Sequence, residues 1–363
     1  MNIGIIDADL LDNGTTHPNL VCEKISGFYK EQGYKVELLT DYAKINKYDA
    51  VFMSKVFNFT HVPIDVFDKK RYPNLHIGGT GFFWKDSPNL PNKIEHHMPD
   101  YHLYDKYISE QISKGVKPSN FKIYTDFSIG FTTRGCFRKC QFCVNEKYNR
   151  VFRHAPVSEF LDNERPGIIL WDDNILGYSK WYEVFDELNA TGKRFQFKQG
   201  MDMRLMTDEK AKVISNSKIG GDYLFSFDNI KDKEIITEKL ELWQKYATKT
   251  TKMCVLTGFD TQDERDIANT FERVKILMEH RCLPYIMRHE NYQKSKYRGL
   301  YVTLARWCNQ PSFFKKKSFR EFCNLNQEYH KTPNTLCAAL KSLKEFEKEH
   351  PEIAKKYFDM KWI

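Results

Sequence analysis

The chain has 363 residues, a formal net charge of +8 at pH 7, 27 Phe, 20 Tyr and nine cysteines. That length is too great for one small core and predicts two domains, with aromatic side chains enough for a sizeable interior. No run of eighteen apolar residues exists, which excludes a membrane-spanning helix. The acidic opening MNIGIIDADLLDNG argues against a secretory signal, and clustered thiols in an odd cysteine count fit a reducing compartment, so a cytoplasmic protein is expected.

The first hundred residues alternate between strand and helix signals. Residues 2–6 are a short apolar run followed by turn residues, a strand. Residues 17–32 carry apolar positions at helical spacing, with Gly33 placed as a stop. KVELLT at 35–40, DAVFMS at 49–54 and residues 74–77 read as further strands, the last running into GGTGF at 78–82. Gly78, Gly79 and Gly81 read as a tight turn. Such alternation predicts an α/β fold with a parallel, doubly wound sheet, whose ligands bind at the carboxyl ends of the strands.

Next come Cys136, Cys140 and Cys143, in GFTTRGCFRKCQFCVNEK. The spacing C-x3-C-x2-C suits three corners of a four-iron, four-sulfur (4Fe-4S) cluster, with one iron left open. A structural zinc site is the alternative, but it needs a fourth ligand, and Cys254, Cys282, Cys308, Cys323 and Cys337 are scattered. His154 is the nearest other candidate and reads as a helix-entry residue. Arg134, Arg138 and Lys139 beside the cysteines favour the thiolate form electrostatically.

From about residue 127 the rhythm continues in longer units. The strand-like runs are SIGFTT, GIILWDD, FQFKQGMD, YLFSFD, KMCVLTGF and LPYIMR. Helical stretches are expected at 158–164, 180–188, 208–215, 230–246 and 261–280. Polar residues gather at the strand ends: Asp172, Asp173 and Asn174; then Gln199, Asp202 and Arg204 before a helix opened by Thr207; then Asp228; then Thr257 and Gly258; then Tyr285, Arg288 and His289. After Asn309, FFKKKSFREF and AALKSLKEFEKEH read as amphipathic helices. From residue 313 onward there are 11 Lys and Arg against 7 Asp and Glu, a balance that permits contact with a polyanion.

The cysteine segment resembles the signature of the radical S-adenosylmethionine (radical SAM) superfamily, and residues 1–310 resemble its cobalamin-binding, methylthiotransferase-like branch, down to the linker MPDYHLYDKY at 98–107. The resemblance implies a Rossmann-like, cobalamin-binding-like domain at 1–110, a partial (β/α)6 barrel at 122–310 and a helical C-terminal extension at 311–363 that packs across the open side of the barrel. It implies an enzyme in which Cys136, Cys140 and Cys143 hold a 4Fe-4S cluster that reductively cleaves S-adenosylmethionine to a 5′-deoxyadenosyl radical, which abstracts hydrogen from substrate. Phe142 would lie against the adenine of that cofactor, and Asp172, Asp173 and Asn174 would meet its ammonium group. Arg204 would grip its carboxylate, in a strand end shared with Gln199 and Asp202, and Thr257 and Gly258 would lie near adenine. The cobalamin-ligating pattern D-x-H-x-x-G is absent, His17 being the nearest histidine, so cobalamin is not expected. An electron donor such as flavodoxin or ferredoxin is an implied partner. One barrel hosts many reactions, so the substrate stays open; the aromatic content and the basic tail favour RNA or a peptide. The rival reading is a non-catalytic iron–sulfur or zinc-binding protein, a sensor or scaffold.

Overall fold

A computed structural model describes residues 1–145 and 147–362. The fold is mixed α/β with several parallel sheets, and none of the described helices is long and apolar enough to cross a membrane. The chain divides into two compact units, Met1–Lys198 and Gln199–Ile363.

The first unit opens with four parallel strands, β1 (Asn2–Asp7), β2 (Lys35–Leu38), β3 (Ala50–Ser54) and β4 (Leu75–Gly78), in the order β2-β1-β3-β4. β1 is central and buried from Ile3 to Asp7, which is why its sequence runs apolar without alternation. The helix Leu20–Glu31 covers one face. It starts later than its periodicity suggests because the Asn19 side chain accepts from the Val21 and Cys22 N–H groups and so caps it there. It buries Cys22 and Ile25 with Leu103, Tyr104 and Ile108, while Leu39, Ile45, Val51 and Met53 pack in a separate cluster.

A second parallel sheet follows, with β5 (Phe127–Gly130) leading to a hairpin of β6 (Thr133–Arg134) and β7 (Phe152–Arg153), then β8 (Gly167–Leu170) and β9 (Arg194–Phe197), in the order β5-β8-β9. The linker at 98–107 is fastened to this sheet. The Tyr101 hydroxyl accepts from Ile129 N–H at 2.7 Å and donates to the Phe160 carbonyl at 2.6 Å, and Arg165 donates to the Tyr101 carbonyl at 2.9 Å. The helix expected at 158–164 is absent, replaced by one 3-10 turn at Val157–Glu159. The Asp162 carboxylate accepts from Glu164 N–H in a local turn, and Pro166 biases the residue before it away from helix.

The second unit holds β10 (Met201–Asp202), β11 (Tyr223–Ser226), β12 (Thr251–Thr257) and β13 (Leu283–Arg288), parallel and in chain order. The helices Asp208–Asn216, Lys233–Gln244 and Glu264–Glu279 connect them. The expected helix FFKKKSFREF is broken in two. Ser318 and Glu321 form a reciprocal capping box that starts a new helix, Phe319–Glu328. The tail packs into the core of this unit: Phe319 and Phe358 pack on Phe271 at ring-centroid distances of 5.2 and 5.3 Å, and Phe314, Phe319 and Phe358 are fully buried.

Candidate functional site

The three cysteines lie on one loop that leaves the carboxyl end of β5 and is closed at its base by the β6–β7 ladder. Gly135, just before Cys136, has φ +87°, and a Cβ there would stand 2.3 Å from the Arg150 carbonyl oxygen, so only glycine lets the loop turn at that point. All three cysteines are half-buried. The Cys136 sulfur accepts from Arg138 N–H and from the Asn174 amide, both at 3.3 Å, and the Cys143 sulfur accepts from Asn145 N–H at 3.4 Å. Burial raises the Cys143 thiol pKa; the Asn145 N–H opposes this, and Cys140, Asp173 and Cys136 add to the rise. No group of three His, Cys, Asp or Glu among the described residues is gathered to hold a single metal ion. Phe142, one residue before Cys143, is half-buried on the same loop.

The three polar residues after β8 have different surroundings. Asp172 is buried and accepts four hydrogen bonds, from the N–H and hydroxyl groups of Thr132 and Thr133, at 2.5–3.1 Å. Burial raises its pKa, and those four donors oppose the rise. Asp172 therefore holds the start of the cysteine loop. Asp173 accepts from Gly135 N–H at 2.6 Å and braces the turn into Cys136. Asn174 is buried with its amide nitrogen on Cys136, and its carbonyl oxygen has no partner among the described residues. That oxygen is an acceptor beside the first cysteine.

In the second unit, Arg204 lies in a fork of carboxylates. It meets Asp202 at 2.7 and 3.1 Å and Asp232 at 2.9 Å. Gln199 is exposed, and Asp202 is buried. The Thr257 hydroxyl and Gly258 N–H both donate to Asp266, at 2.9 and 2.8 Å, and the Tyr301 hydroxyl joins them at 2.8 Å. A Cβ on Gly258 would stand 2.8 Å from Tyr292 Cβ, so the close approach that this glycine permits is to Tyr292. Burial pushes the Asp228 carboxyl up to about 6 against the opposing charge of Arg273.

Sequence reasoning missed a charged cluster in the first unit. Glu95 Oε1 lies 3.0 Å from His154 Nε2, 3.3 Å from Arg134 and 3.5 Å from Lys24. Burial alone would raise the Glu95 carboxyl, but the His154 hydrogen bond and the Lys24 and Arg134 charges outweigh it and hold it at about 2. His96 packs against His154 with centroids 4.9 Å apart and rings tilted by 34°, and it pairs with Glu159 at 3.0 Å. His154 thus follows β7 and joins this cluster, and is not a helix entry. The run EHH at 95–97 was the available signal, but nothing local says that residues 95, 134 and 154 meet. No protein-family model matches the chain, and no curated protein is significantly similar to it.

Proposed function

We infer that the chain is a radical SAM enzyme, with the β2-β1-β3-β4 sheet as a Rossmann-like, cobalamin-domain-like fold and the later parallel strands as those of a partial (β/α)6 barrel. The observation that carries this reading is the cysteine loop. Three cysteines in C-x3-C-x2-C spacing lie on a loop that follows the carboxyl end of a parallel strand, the position where such folds carry ligands. Beside Cys136 lies the unpartnered Asn174 carbonyl, an acceptor suited to an ammonium group. Three cysteines are the donor number that a 4Fe-4S cluster with one open iron requires. When bound, the cluster and S-adenosylmethionine would supply reductive cleavage to a 5′-deoxyadenosyl radical that abstracts hydrogen from substrate.

The chain's own residues then have separable tasks. Cys136, Cys140 and Cys143 hold iron. Asp172 and Asp173 fix the loop, and Asn174 orients Cys136 while offering its oxygen to the cofactor. Phe142 flanks the cofactor from the loop. The D-x-H-x-x-G pattern is absent from the sequence, and His17, the nearest histidine, packs on Trp171 with centroids 5.7 Å apart. Anaerobic iron and sulfide reconstitution is expected to give about four irons per chain. Dithionite and S-adenosylmethionine should then yield 5′-deoxyadenosine, and Cys140→Ala should abolish it. A chain that takes up one zinc and no sulfide would overturn the reading in favour of a structural site.

A further inference from the structure

A cleft of about 720 Å³ lies in the first unit between the carboxyl ends of β3 and β4 and the cysteine loop. Its lining includes Ser54, Gly78 and Thr80 on the sheet side and Val144, Asn145 and Asp173 beside Cys143. The volume is within the range of about 300–1,000 Å³ usual for small-molecule sites. Gly79 and Gly81 make the tight turn at its rim, since a Cβ on either would strike the Lys55 or Phe57 carbonyl oxygen at 2.2 or 2.6 Å. Gly78 has nothing within 4 Å of an added Cβ, so the backbone there is open to the cleft.

Two features of the lining define what would fit. One is a ladder of rings. Tyr29 stacks on Phe52 at 5.3 Å and Phe52 on His76 at 5.1 Å, with interplanar angles of 27° and 21°. Trp84 stands at the lip, 46% exposed and at φ +48°, a backbone conformation that side-chain-bearing residues rarely adopt. The other feature is cationic. Arg134 is stacked on the Phe131 ring at 3.3 Å, which fixes the guanidinium plane, and it presents several N–H donors beyond its contact with Glu95. Lys147 lines the same cleft. The two lining carboxylates are already engaged, Glu95 by Lys24, Arg134 and His154, and Asp173 by Gly135. The Asn145 amide nitrogen, buried against the cleft, has no partner among the described residues and is available to a ligand acceptor.

We propose that this cleft is the substrate site and that it takes a nucleotide, free or as one unit of an RNA strand. The base stacks on the ring wall of His76 and Trp84, and the phosphate is drawn to Arg134 and Lys147. Stacking accepts any base, and the guanidinium fork matches phosphate oxygens. The assignment of the cleft as substrate site rests on the radical SAM reading, which puts the chemistry beside Cys143; nucleotide binding itself does not.

Calorimetric titration of the full chain at low salt tests the proposal, with each mononucleotide, its nucleoside and a short unstructured RNA as probes. Mononucleotides should bind, and nucleosides should bind about tenfold more weakly. Trp84→Ala and His76→Ala should each weaken nucleotide and nucleoside by about tenfold. Lys147→Gln, at an exposed position, and Arg134→Gln should weaken the nucleotide while leaving the nucleoside unchanged. Tighter binding of the RNA than of its mononucleotides assigns an RNA substrate, and equal or weaker binding assigns a free one. Absence of binding by every probe, binding that all four variants leave unchanged, or retention of hydroxocobalamin that nucleotides do not displace would overturn it. The radical reading is scored separately by 5′-deoxyadenosine formation without substrate. Cofactor cleavage with no nucleotide binding sinks the substrate class alone, and nucleotide binding without cleavage sinks the radical reading alone.

Discussion

Asp172 shows how one buried carboxylate can set a loop. Its four donors come from two consecutive threonines immediately before the turn into Cys136, so their N–H and hydroxyl groups have this single acceptor in common. Asp172→Ala would leave four buried donors without it, and a loss of about 3 kcal/mol or more is expected in chemical denaturation, with reduced iron uptake. Asp172→Asn keeps one acceptor oxygen and should lose less. Equal stability of the alanine variant and the parent would show that the loop is held otherwise. Asp7 is a second case. Burial pushes its carboxyl up to about 6, against hydrogen bonds from Tyr104 and Leu10, with Asp9 adding to the rise. The folded state therefore holds this proton more tightly than the unfolded chain, whose value is near 3.8. Below pH 4 the group is protonated in both states; as pH rises from about 4 to 6 the protein loses stability, by about 3 kcal/mol from this group. Asp7→Asn should remove that part of the slope, so its stability relative to the parent rises across this window. Parallel profiles would assign the slope elsewhere, Glu23 and Asp228 being raised in the same direction.

At the scale of elements, close backbone approach decides where helices and loops meet. Within the helix Leu20–Glu31, a Cβ on Gly27 would stand 2.4 Å from the Met98 carbonyl oxygen, and Asp100 N–H donates to the Glu23 carbonyl of the same helix at 2.9 Å. The helix thus lies directly on the linker that is fastened to the second sheet. Alanine is the better helix former by about 1 kcal/mol, but here the neighbour is backbone and cannot turn aside. Gly27→Ala should be destabilising by about 1–3 kcal/mol in thermal or chemical unfolding. Gly299→Ala makes an instructive contrast. Its nearest neighbour would be the Ser342 hydroxyl at 2.1 Å, the end of a side chain that can rotate away, so the loss should be smaller. A larger loss at Gly299 than at Gly27 would contradict this account.

For the whole molecule, the fold does not depend on the proposed iron site. The cysteine loop is closed by the β6–β7 ladder and by Asp172 and Asp173, none of which requires a metal. Both units have extensive buried cores, from Ile5 and Ile25 in the first to Phe271 and Trp307 in the second. Removing iron with a chelator should therefore abolish the cluster absorbance while shifting the melting temperature by only a few degrees. Global unfolding on chelation would indicate a structural metal, the behaviour of small zinc-dependent domains.

The sequence by itself determined most of the parallel strands of both units, because a central strand such as β1 is buried on both faces and must be written as an apolar run, but it read FQFKQGMD as one strand where the structure has β9 and β10 in separate sheets. It also singled out Cys136, Cys140 and Cys143, because these proposed ligands share one loop, where spacing is a local property of the sequence. It could not foresee the missing helix at 158–164, where Asp162 and the following Pro166 override periodicity. Nor could it separate Asp172, a saturated staple, from Asn174, whose oxygen is unpartnered, since adjacent residues at a strand end look alike until their donors are known. The cleft with Glu95, Arg134 and His154 lay beyond it for the same reason. Side chains 39 and 59 residues apart meet only because the linker is fastened to the second sheet, and such long-range contacts leave no periodic mark in the chain.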